Sequence, residues 1–178
     1  MQENLKIYLI GMPGSGKSTL GKQLAKALKL SFIDLDSLIV EEEKAAITEI
    51  FSKKGEDYFR EIEKFLLQKS SAERDNFVMA TGGGAACFFD NMEYMNATGI
   101  TVYIEVPSNF IADRLSSKGL SKRPLLRDKT GSELLNELDT KLKKRQYFYE
   151  KAKIKLDFEH HNLEALQAQL ENYFSQQT

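Results

Sequence analysis

Nine residues near the amino terminus, GMPGSGKST (Gly11 to Thr19), match the pattern G-x-x-x-x-G-K-[ST]. They follow an apolar run and open a segment with helical periodicity, which is the setting in which this pattern binds phosphate. Glycines let backbone N–H groups turn toward phosphate oxygens, and the helix N-terminus adds its positive dipole. Lys17 can then reach the β and γ phosphates, and the Ser18 hydroxyl can bind Mg²⁺. The predicted nucleoside triphosphate site comprises Gly14, Ser15, Gly16, Lys17, Ser18 and Thr19.

The stretch FIDLDS (Phe32 to Ser37) places two aspartates, Asp34 and Asp36, at the end of a short apolar run. Residues i and i+2 of a strand share a face, so both carboxylates can point into one site. Their spacing alone leaves three roles open: metal ligands, a catalytic pair, or the cap of the next helix. Ser37 is a candidate cap for a helix over Leu38–Glu43, and this would leave Asp36 available for chemistry.

Two arginines and a glycine triplet indicate a second site, for an anionic acceptor. Arg145 falls on an apolar helical stripe, where a cation needs an anion because a buried unpaired charge is costly. Arg60 raises the same question, although its spacing from Glu63 also fits a surface i, i+3 ion pair. The glycines of TGGG (Thr81 to Gly84) permit close approach of the backbone to a small ligand. The stripe around Arg145 consists of Leu135, Leu138, Leu142 and Tyr149.

A polar and basic segment, Ser117 to Gly131, has no clear periodicity and contains glycine, proline and several cations. Such a segment suits a lid that covers the phosphates and excludes water, since an open site would hydrolyse the nucleotide. Arg123 is the candidate for a charge clamp on the transferring phosphoryl group. The same composition also fits a solvated basic loop.

Strand-like and helix-like segments alternate along the chain. Strands are predicted over Leu5–Ile10, Ser31–Asp34, Phe77–Ala80, Ile100–Val106 and Lys153–Phe158. Helices are predicted over Ser18–Leu28, a short stretch capped by Thr48 and ended by Gly55, Glu56–Glu73, Ser108–Ser116, Ser132–Tyr149 and Leu163–Phe174. This alternation implies a parallel sheet with right-handed crossovers and helices on both faces. Ligands then bind at the carboxyl ends of the strands, where the phosphate loop, FIDLDS and TGGG all fall.

Length and composition limit the class of protein. The 178 residues fit one domain, and 42% hydrophobic with 29% charged residues is ordinary globular usage. A net charge of −1 and a pI near 6.2 give no electrostatic case for nucleic acid or a membrane surface. No apolar run approaches the roughly 20 residues of a membrane helix, and the first residues lack the features of a signal peptide. We therefore expect a cytoplasmic protein, with a monomer as the default state.

Several classes of protein share the phosphate loop. A regulatory GTPase needs a guanine-reading N-K-x-D motif, which this sequence lacks. A gluconate kinase shares the loop and can share the D-x-D spacing, but the glycine triplet and the two arginines count against it. A regulatory nucleotide-binding protein without transfer activity would need neither acceptor arginines nor a lid arginine. The combination favours a kinase that acts on a diffusible acceptor.

Together the motifs resemble the shikimate kinase family, in the nucleoside-monophosphate-kinase-like group of P-loop folds. The matching segments are GMPGSGKST, FIDLDS, DYFREIE at Asp57–Glu63, ATGGGA at Ala80–Ala85, KRPLL at Lys122–Leu126 and KKRQYFYEKA at Lys143–Ala152. They follow the family's order and approximate spacing from Leu5 to Asp157. The resemblance implies a three-layer α/β/α fold with a five-stranded parallel sheet, in a single domain over residues 1–178. It also implies a mobile lid over residues 117–131 and acceptor-binding helices over residues 34–64.

The resemblance implies an activity: transfer of the γ-phosphoryl group of ATP to the 3-hydroxyl of shikimate, with Mg²⁺ as the cofactor. Ser18 resembles the direct Mg²⁺ ligand, and Asp34 the residue that holds the ion through water. Asp36 resembles the residue that hydrogen-bonds the acceptor hydroxyl and takes its proton. Lys17 and Arg123 complete the catalytic set, with Arg123 meeting ATP from the lid.

The remaining residues implied by the resemblance bind the acceptor and the adenine. The acceptor carboxylate and ring hydroxyls would meet Arg60, Arg145 and the backbone of Gly82, Gly83 and Gly84. Phe51 and Phe59 resemble the apolar wall of that pocket, and Glu63 the carboxylate that orients Arg60. Arg114 resembles the arginine that stacks on the adenine. The family often places a second arginine near the last strand, where this chain has His160 and His161.

Overall fold

The structure is a computed structural model that describes residues 4–118 and 131–177. Within those residues, five strands form one sheet in the order β2-β3-β1-β4-β5, and every neighbouring pair is parallel. The predicted α/β class with a five-stranded parallel sheet is confirmed. The strands are β1 (Lys6–Ile10), β2 (Ser31–Asp34), β3 (Phe77–Ala80), β4 (Ile100–Ile104) and β5 (Ile154–Leu156).

Helices cover the sheet, as the alternating pattern predicts, but one of them was not predicted. Asn91–Thr98 forms a helix in which half of the residues have weak helix propensity, two asparagines and a threonine among them. Its Met92 and Met95 are fully buried, so tertiary packing stabilises it. The described helices are α1 (Lys17–Leu28), α2 (Leu35–Glu43), α3 (Ile47–Glu73), α4 (Asn91–Thr98), α5 (Ser108–Lys118), α6 (Gly131–Tyr149) and α7 (Leu163–Ser175). None of them is long and apolar enough to cross a membrane.

The central strands form the core. β1 and β4 read as nearly continuous apolar runs because helices cover both faces of a parallel sheet. The amino-terminal residue of β1, Lys6, reaches back to donate to the Ser71 carbonyl at 2.6 Å. The carboxyl end of β1 leads directly into the phosphate loop, so the packed centre of the sheet positions that loop.

The start of α2 differs from the prediction. The helix begins at Leu35, and Asp34 is its N-cap, with Oδ1 accepting a hydrogen bond from the Ser37 N–H at 3.2 Å. The prediction that Ser37 caps a helix from Leu38 is therefore wrong. Asp36 lies in the first turn of α2 and not in a strand, so the argument from a shared strand face is also wrong. An aspartate at the end of β2 satisfies the unpaired N–H groups of the helix start, and the helix begins there.

Helices α3 and α6 show smaller corrections. Residue Ala46, not Thr48, precedes the first turn of α3, and no side chain caps it. Gly55 does interrupt this helix, with φ 83° and ψ 173° inside the continuous span. The buried stripe of α6 runs through Leu134 rather than Leu135. β5 is shorter than predicted because the chain turns at Phe158 into a 3₁₀ segment.

The Gly55 kink supports a stability prediction. A Cβ added to Gly55 would meet no atom within 4 Å, but its backbone lies in a region that only glycine populates readily. We expect Gly55→Ala to lower the free energy of unfolding by about 2 kcal/mol in urea denaturation. Lys29→Gly is the opposite control, because Lys29 ends α1 in the left-handed conformation at φ 57° and glycine relieves it. An alanine variant as stable as the wild type would contradict the kink.

Candidate active site

The carboxyl ends of the strands open into a cleft of about 940 Å³. Its walls come from the phosphate loop, β2, the start of α2, the TGGG turn, α5 and the start of α7. The structure therefore brings together side chains predicted from separate parts of the sequence. The predicted site residues that line the cleft are Gly14, Gly16, Lys17, Ser18, Thr19, Asp34, Asp36, Gly83 and Arg114.

The phosphate loop is a tight turn between β1 and α1. Gly14 and Gly16 have φ values of 82° and 95°, and the Ser15 N–H donates to the Met12 carbonyl at 3.1 Å. The Lys17 side chain lies along this turn. Its ammonium group donates to the carbonyl oxygens of Gly11 and Met12, at 2.9 Å each. Lys17 is only 7% exposed, so its charge is held within the loop that precedes the helix.

The side-chain oxygens of Ser18 and Asp34 lie together at one wall of the cleft. The Ser18 hydroxyl donates to Asp34 Oδ2 at 2.7 Å, while Asp34 Oδ1 caps α2. Hydroxyl and carboxylate oxygens are ligands that Mg²⁺ prefers. In residues 4–118 and 131–177 no group of three or more His, Cys, Asp and Glu side chains could hold a metal ion. Within the part of the chain that the structure describes, the predicted cation site therefore has two side-chain oxygens, those of Ser18 and Asp34.

Arg60 is buried, at 5% exposure, between two carboxylates and two aromatic rings. Its Nη1 donates to Glu63 Oε2 at 2.7 Å, and its Nε and Nη2 both donate to Glu56 Oε1, at 3.2 and 3.0 Å. The guanidinium carbon lies 5.0 Å from the Phe59 ring centre and 4.3 Å from that of Phe88. These bonds use three of the five N–H donors of an arginine, so the described contacts leave two for a ligand.

The spacing of Arg60 and Glu63 also fitted a surface ion pair, and the burial of both side chains excludes that interpretation. Burial alone would lower the pKa of Arg60, but the carboxylates of Glu63 and Glu56 outweigh it and raise that pKa. Burial raises the pKa of Glu63 to about 7 in spite of the opposing effect of Arg60. The charge of nearby Asp36 acts in the same direction as burial. Glu63 Oε1 is fully buried and has no hydrogen-bond partner among the described residues.

The glycine triplet packs against this cluster. A Cβ on Gly82 would collide with Glu63 Oε1 and lie 3.0 Å from Asp36 Oδ1. A Cβ on Gly84 would lie 2.7 Å from Arg60 Nη2. The sequence predicted close approach of this backbone to a ligand. In the structure the close approach is to the side chains of the site itself, and any larger residue would displace them.

Arg145 and Tyr149 reach the same turn from α6. Arg145 Nη1 donates to the Gly83 carbonyl at 3.1 Å, and the Tyr149 hydroxyl donates to the same oxygen. Arg145 is half-buried, as the stripe on α6 predicts. Tyr149 was predicted as an apolar stripe residue and missed as a site residue. The available signal was its i, i+4 spacing from Arg145, which puts both side chains on one face of the helix.

The far end of the cleft brings together α5 and the start of α7. Arg114 Nη1 lies 3.5 Å from the Gly14 carbonyl, and a Cβ on Gly16 would lie 3.1 Å from the His161 ring. Burial, followed by the charge of Arg114, lowers the pKa of His161. His160 points away and pairs with Asp157 at 2.8 Å. Of the two histidines, His161 is therefore the one that lines the cleft.

The structure describes the predicted phenylalanine pair but not the predicted lid arginine. Phe51 and Phe59 pack together with ring centres 4.6 Å apart, beside Arg60. Arg123 and most of the predicted lid lie outside the described residues, so their placement stays a prediction.

A phosphate loop at the central strand, next to the buried Arg60 and the half-buried Arg145, defines a P-loop kinase for a small anionic acceptor. The family model for shikimate kinase matches residues 13–173. The chain belongs to the shikimate kinase family.

Individual relatives agree with this assignment. The chain is 47% identical to a shikimate kinase of Parabacteroides distasonis over 156 residues, which cover 86% of this chain and 88% of that one. The crystal structure of the Bacteroides thetaiotaomicron shikimate kinase has a TM-score of 0.84 and 38% identity, covering 94% of this chain and 95% of that one. The structure of the Acinetobacter baumannii shikimate kinase in complex with shikimate has a TM-score of 0.86 and 32% identity. The match covers 97% of this chain and 94% of that one.

The buried Glu63 predicts how stability depends on pH. The folded protein holds the Glu63 proton more tightly than the unfolded chain, so this group favours folding at low pH. That contribution is lost as the pH rises from about 4.5 through about 7. Relative to Glu63→Gln, the wild type should lose on the order of 2 kcal/mol of unfolding free energy between pH 5 and pH 8.

Urea denaturation at a series of pH values measures this difference. Glu61→Gln is the matched control, because Glu61 lies on the exposed face of the same helix. Its curve should run parallel to that of the wild type. Parallel curves for the wild type and Glu63→Gln would contradict the raised pKa of Glu63.

Proposed function

We propose that this protein transfers the γ-phosphoryl group of ATP to the 3-hydroxyl of shikimate, giving shikimate 3-phosphate and ADP. This reaction belongs to the shikimate pathway of aromatic amino-acid biosynthesis. The observation that carries the proposal is the position of Arg60 and Arg145, which meet at the TGGG turn beside Asp36. Membership of the shikimate kinase family supports the choice of acceptor.

ATP binds with its phosphates in the turn formed by residues 14–19. The backbone N–H groups and the start of α1 supply the positive field for phosphate oxygens. Lys17 exchanges its bonds to the Gly11 and Met12 carbonyls for bonds to the β and γ phosphates. Arg114, beside the Gly14 carbonyl, contacts the adenine side of the nucleotide.

Mg²⁺ binds at the Ser18–Asp34 pair, where a hydroxyl and a carboxylate oxygen lie 2.7 Å apart. When bound, the ion neutralises charge on the β and γ phosphates. Ser18 would hold the ion directly, and Asp34 would hold it through water. Asp34 also remains the cap of α2, because its two oxygens have separate partners.

The acceptor lies between Asp36 and the two arginines. Its carboxylate binds the remaining donors of Arg60 and the guanidinium of Arg145, an arrangement suited to a planar anion. The backbone of Gly82, Gly83 and Gly84 and the Phe51–Phe59 pair form the rest of the pocket. Glu63 orients Arg60 through its 2.7 Å bond to Nη1.

Asp36 aligns the acceptor and takes its proton. The 3-hydroxyl oxygen attacks the γ-phosphorus while the bond from that phosphorus to the β–γ bridging oxygen breaks. The hydroxyl proton passes to the Asp36 carboxylate, and ADP leaves with the bridging oxygen. Positioning and charge neutralisation supply most of the rate enhancement, with Arg123 contributing from the lid over residues 117–131.

Residues 1–178 form a single kinase domain, in which residues 34–64 carry the acceptor-binding helices. The contiguous core of the described residues supports this division. The protein works in the cytoplasm, where its co-substrate ATP is available, as a monomer that binds neither nucleic acid nor membrane.

An acceptor comparison tests the function. ADP release is measured with MgATP and shikimate, gluconate or a nucleoside monophosphate as the only acceptor. We expect turnover with shikimate well above the rate without acceptor, and no stimulation by the other two. No shikimate-dependent turnover by folded protein would overturn the proposal, and stimulation by gluconate instead would assign the site to a different sugar-acid kinase.

The role of Asp36 is tested by Asp36→Asn. This change keeps the size and removes the base, so kcat should fall at least about 100-fold while the ATP dissociation constant stays close to that of the wild type. Asp57→Asn is the matched control, because Asp57 is exposed on α3, and it should retain wild-type kcat. A collapse of ATP affinity in Asp36→Asn would instead place Asp36 in the nucleotide site.

A further inference from the structure

The last residue of α6, Tyr149, is buried against the sheet at 1% exposure. Its ring stacks on Tyr103 of β4, with centroids 5.0 Å apart and an angle of 28° between the planes. A phenylalanine would fill this space equally well. The hydroxyl is therefore the part of Tyr149 that packing does not explain.

The Tyr149 hydroxyl donates to the carbonyl oxygen of Gly83, and its further contacts include the weak acceptor Met12 Sδ at 3.8 Å and the Cys87 thiol. The Gly83 carbonyl also accepts from Arg145 Nη1 at 3.1 Å. A carbonyl oxygen has two lone pairs, so these two donors satisfy it. Residues 145 and 149 are one helical turn apart, and one oxygen thus fixes the end of α6 in two places.

The position of the Gly83 carbonyl matters for the acceptor. A trans peptide is planar, so fixing this oxygen also fixes the direction of the Gly84 N–H. The same oxygen holds Arg145 through one nitrogen, Nη1. Gly84 in turn packs on the guanidinium of Arg60. The backbone turn and both acceptor arginines therefore depend on one hydrogen-bonded carbonyl.

We propose that Tyr149 is a positioning residue for the acceptor, acting through the Gly83 carbonyl and Arg145 without touching the acceptor itself. This inference rests on the proposed function, since it assumes that Arg145 binds the acceptor carboxylate. Burial raises the pKa of Tyr149, so the hydroxyl keeps its proton and remains a donor at working pH. On the side of the phosphate loop, the Tyr149 hydroxyl contacts Met12 Sδ.

Tyr149→Phe tests the proposal, because it removes one oxygen and keeps the ring. We expect the KM for shikimate to rise about tenfold, because one buried hydrogen bond and its positioning effect are lost. The kcat should change little. The KM for ATP should stay within about twofold of the wild type. Tyr103→Phe is the matched control, since it removes the hydroxyl of the stacking partner, for which the described contacts include no hydrogen bond. It should change neither KM.

A double-mutant cycle with Arg145→Lys separates positioning from general destabilisation. If Tyr149 acts through Arg145, its effect on the shikimate KM should be much smaller in the Arg145→Lys background than in the wild type. Independent, additive effects would overturn the proposal, and so would equal rises in both KM values with a lowered melting temperature. If the wild type turns over shikimate and Tyr149→Phe has a wild-type shikimate KM, this inference fails while the proposed function stands.

A labelled protein covers the case in which Tyr149→Phe does not fold. 3-Fluorotyrosine placed at position 149 keeps the hydroxyl and gives one ¹⁹F signal. We expect saturating shikimate to shift that signal clearly more than saturating ADP does. A signal that ADP shifts and shikimate does not would overturn the proposal.

Discussion

The buried ion pair between Arg60 and Glu63 is the interaction on which the acceptor site depends. Two charges taken out of water carry a large desolvation cost, and the raised pKa of Glu63 is the direct sign of it. Such a pair persists only where its surroundings leave no alternative geometry. The glycine backbone at positions 82 and 84 provides that constraint, because it packs on both partners with no space for a side chain. A cation held in this way is fixed in place before any anion arrives.

The same turn joins the two substrate sites. Gly83 lies against Pro13 of the phosphate loop so closely that a Cβ would come within 2.5 Å of the ring. On its other side, the Gly83 carbonyl receives the donors from α6. The turn after β3 therefore sets the distance between the phosphate loop and the acceptor arginines. Phosphoryl transfer depends on how the attacking hydroxyl oxygen and the leaving bridging oxygen are placed around the γ-phosphorus. The distance between the phosphate loop and the two arginines controls that placement.

Much of this arrangement could be predicted from the sequence, because strong local patterns carry it. The phosphate loop needs a glycine-rich turn between a strand and a helix, and the strand order then brings FIDLDS and TGGG to the same edge. The errors came where a tertiary contact overrides a local pattern. Asp34 takes the capping role expected of Ser37, so Asp36 reaches the site from a helix. The contact of Glu56 with Arg60 follows from their i, i+4 spacing on α3, a signal that sequence reasoning did not use. The contact of Phe88 with Arg60 depends on tertiary packing, which no spacing rule predicts.

In the proposed function, Arg60 and Arg145 recognise the carboxylate of the acceptor. Comparing kcat/KM for shikimate with that for its methyl ester tests this claim most directly, because the ester keeps the ring and hydroxyls and loses the charge. We predict that the wild-type kcat/KM is at least about 100-fold lower for the ester than for shikimate, because the charged hydrogen bonds from two arginines are lost. The penalty should shrink strongly in an Arg145→Met variant. Equal kcat/KM values for the acid and the ester would contradict the account.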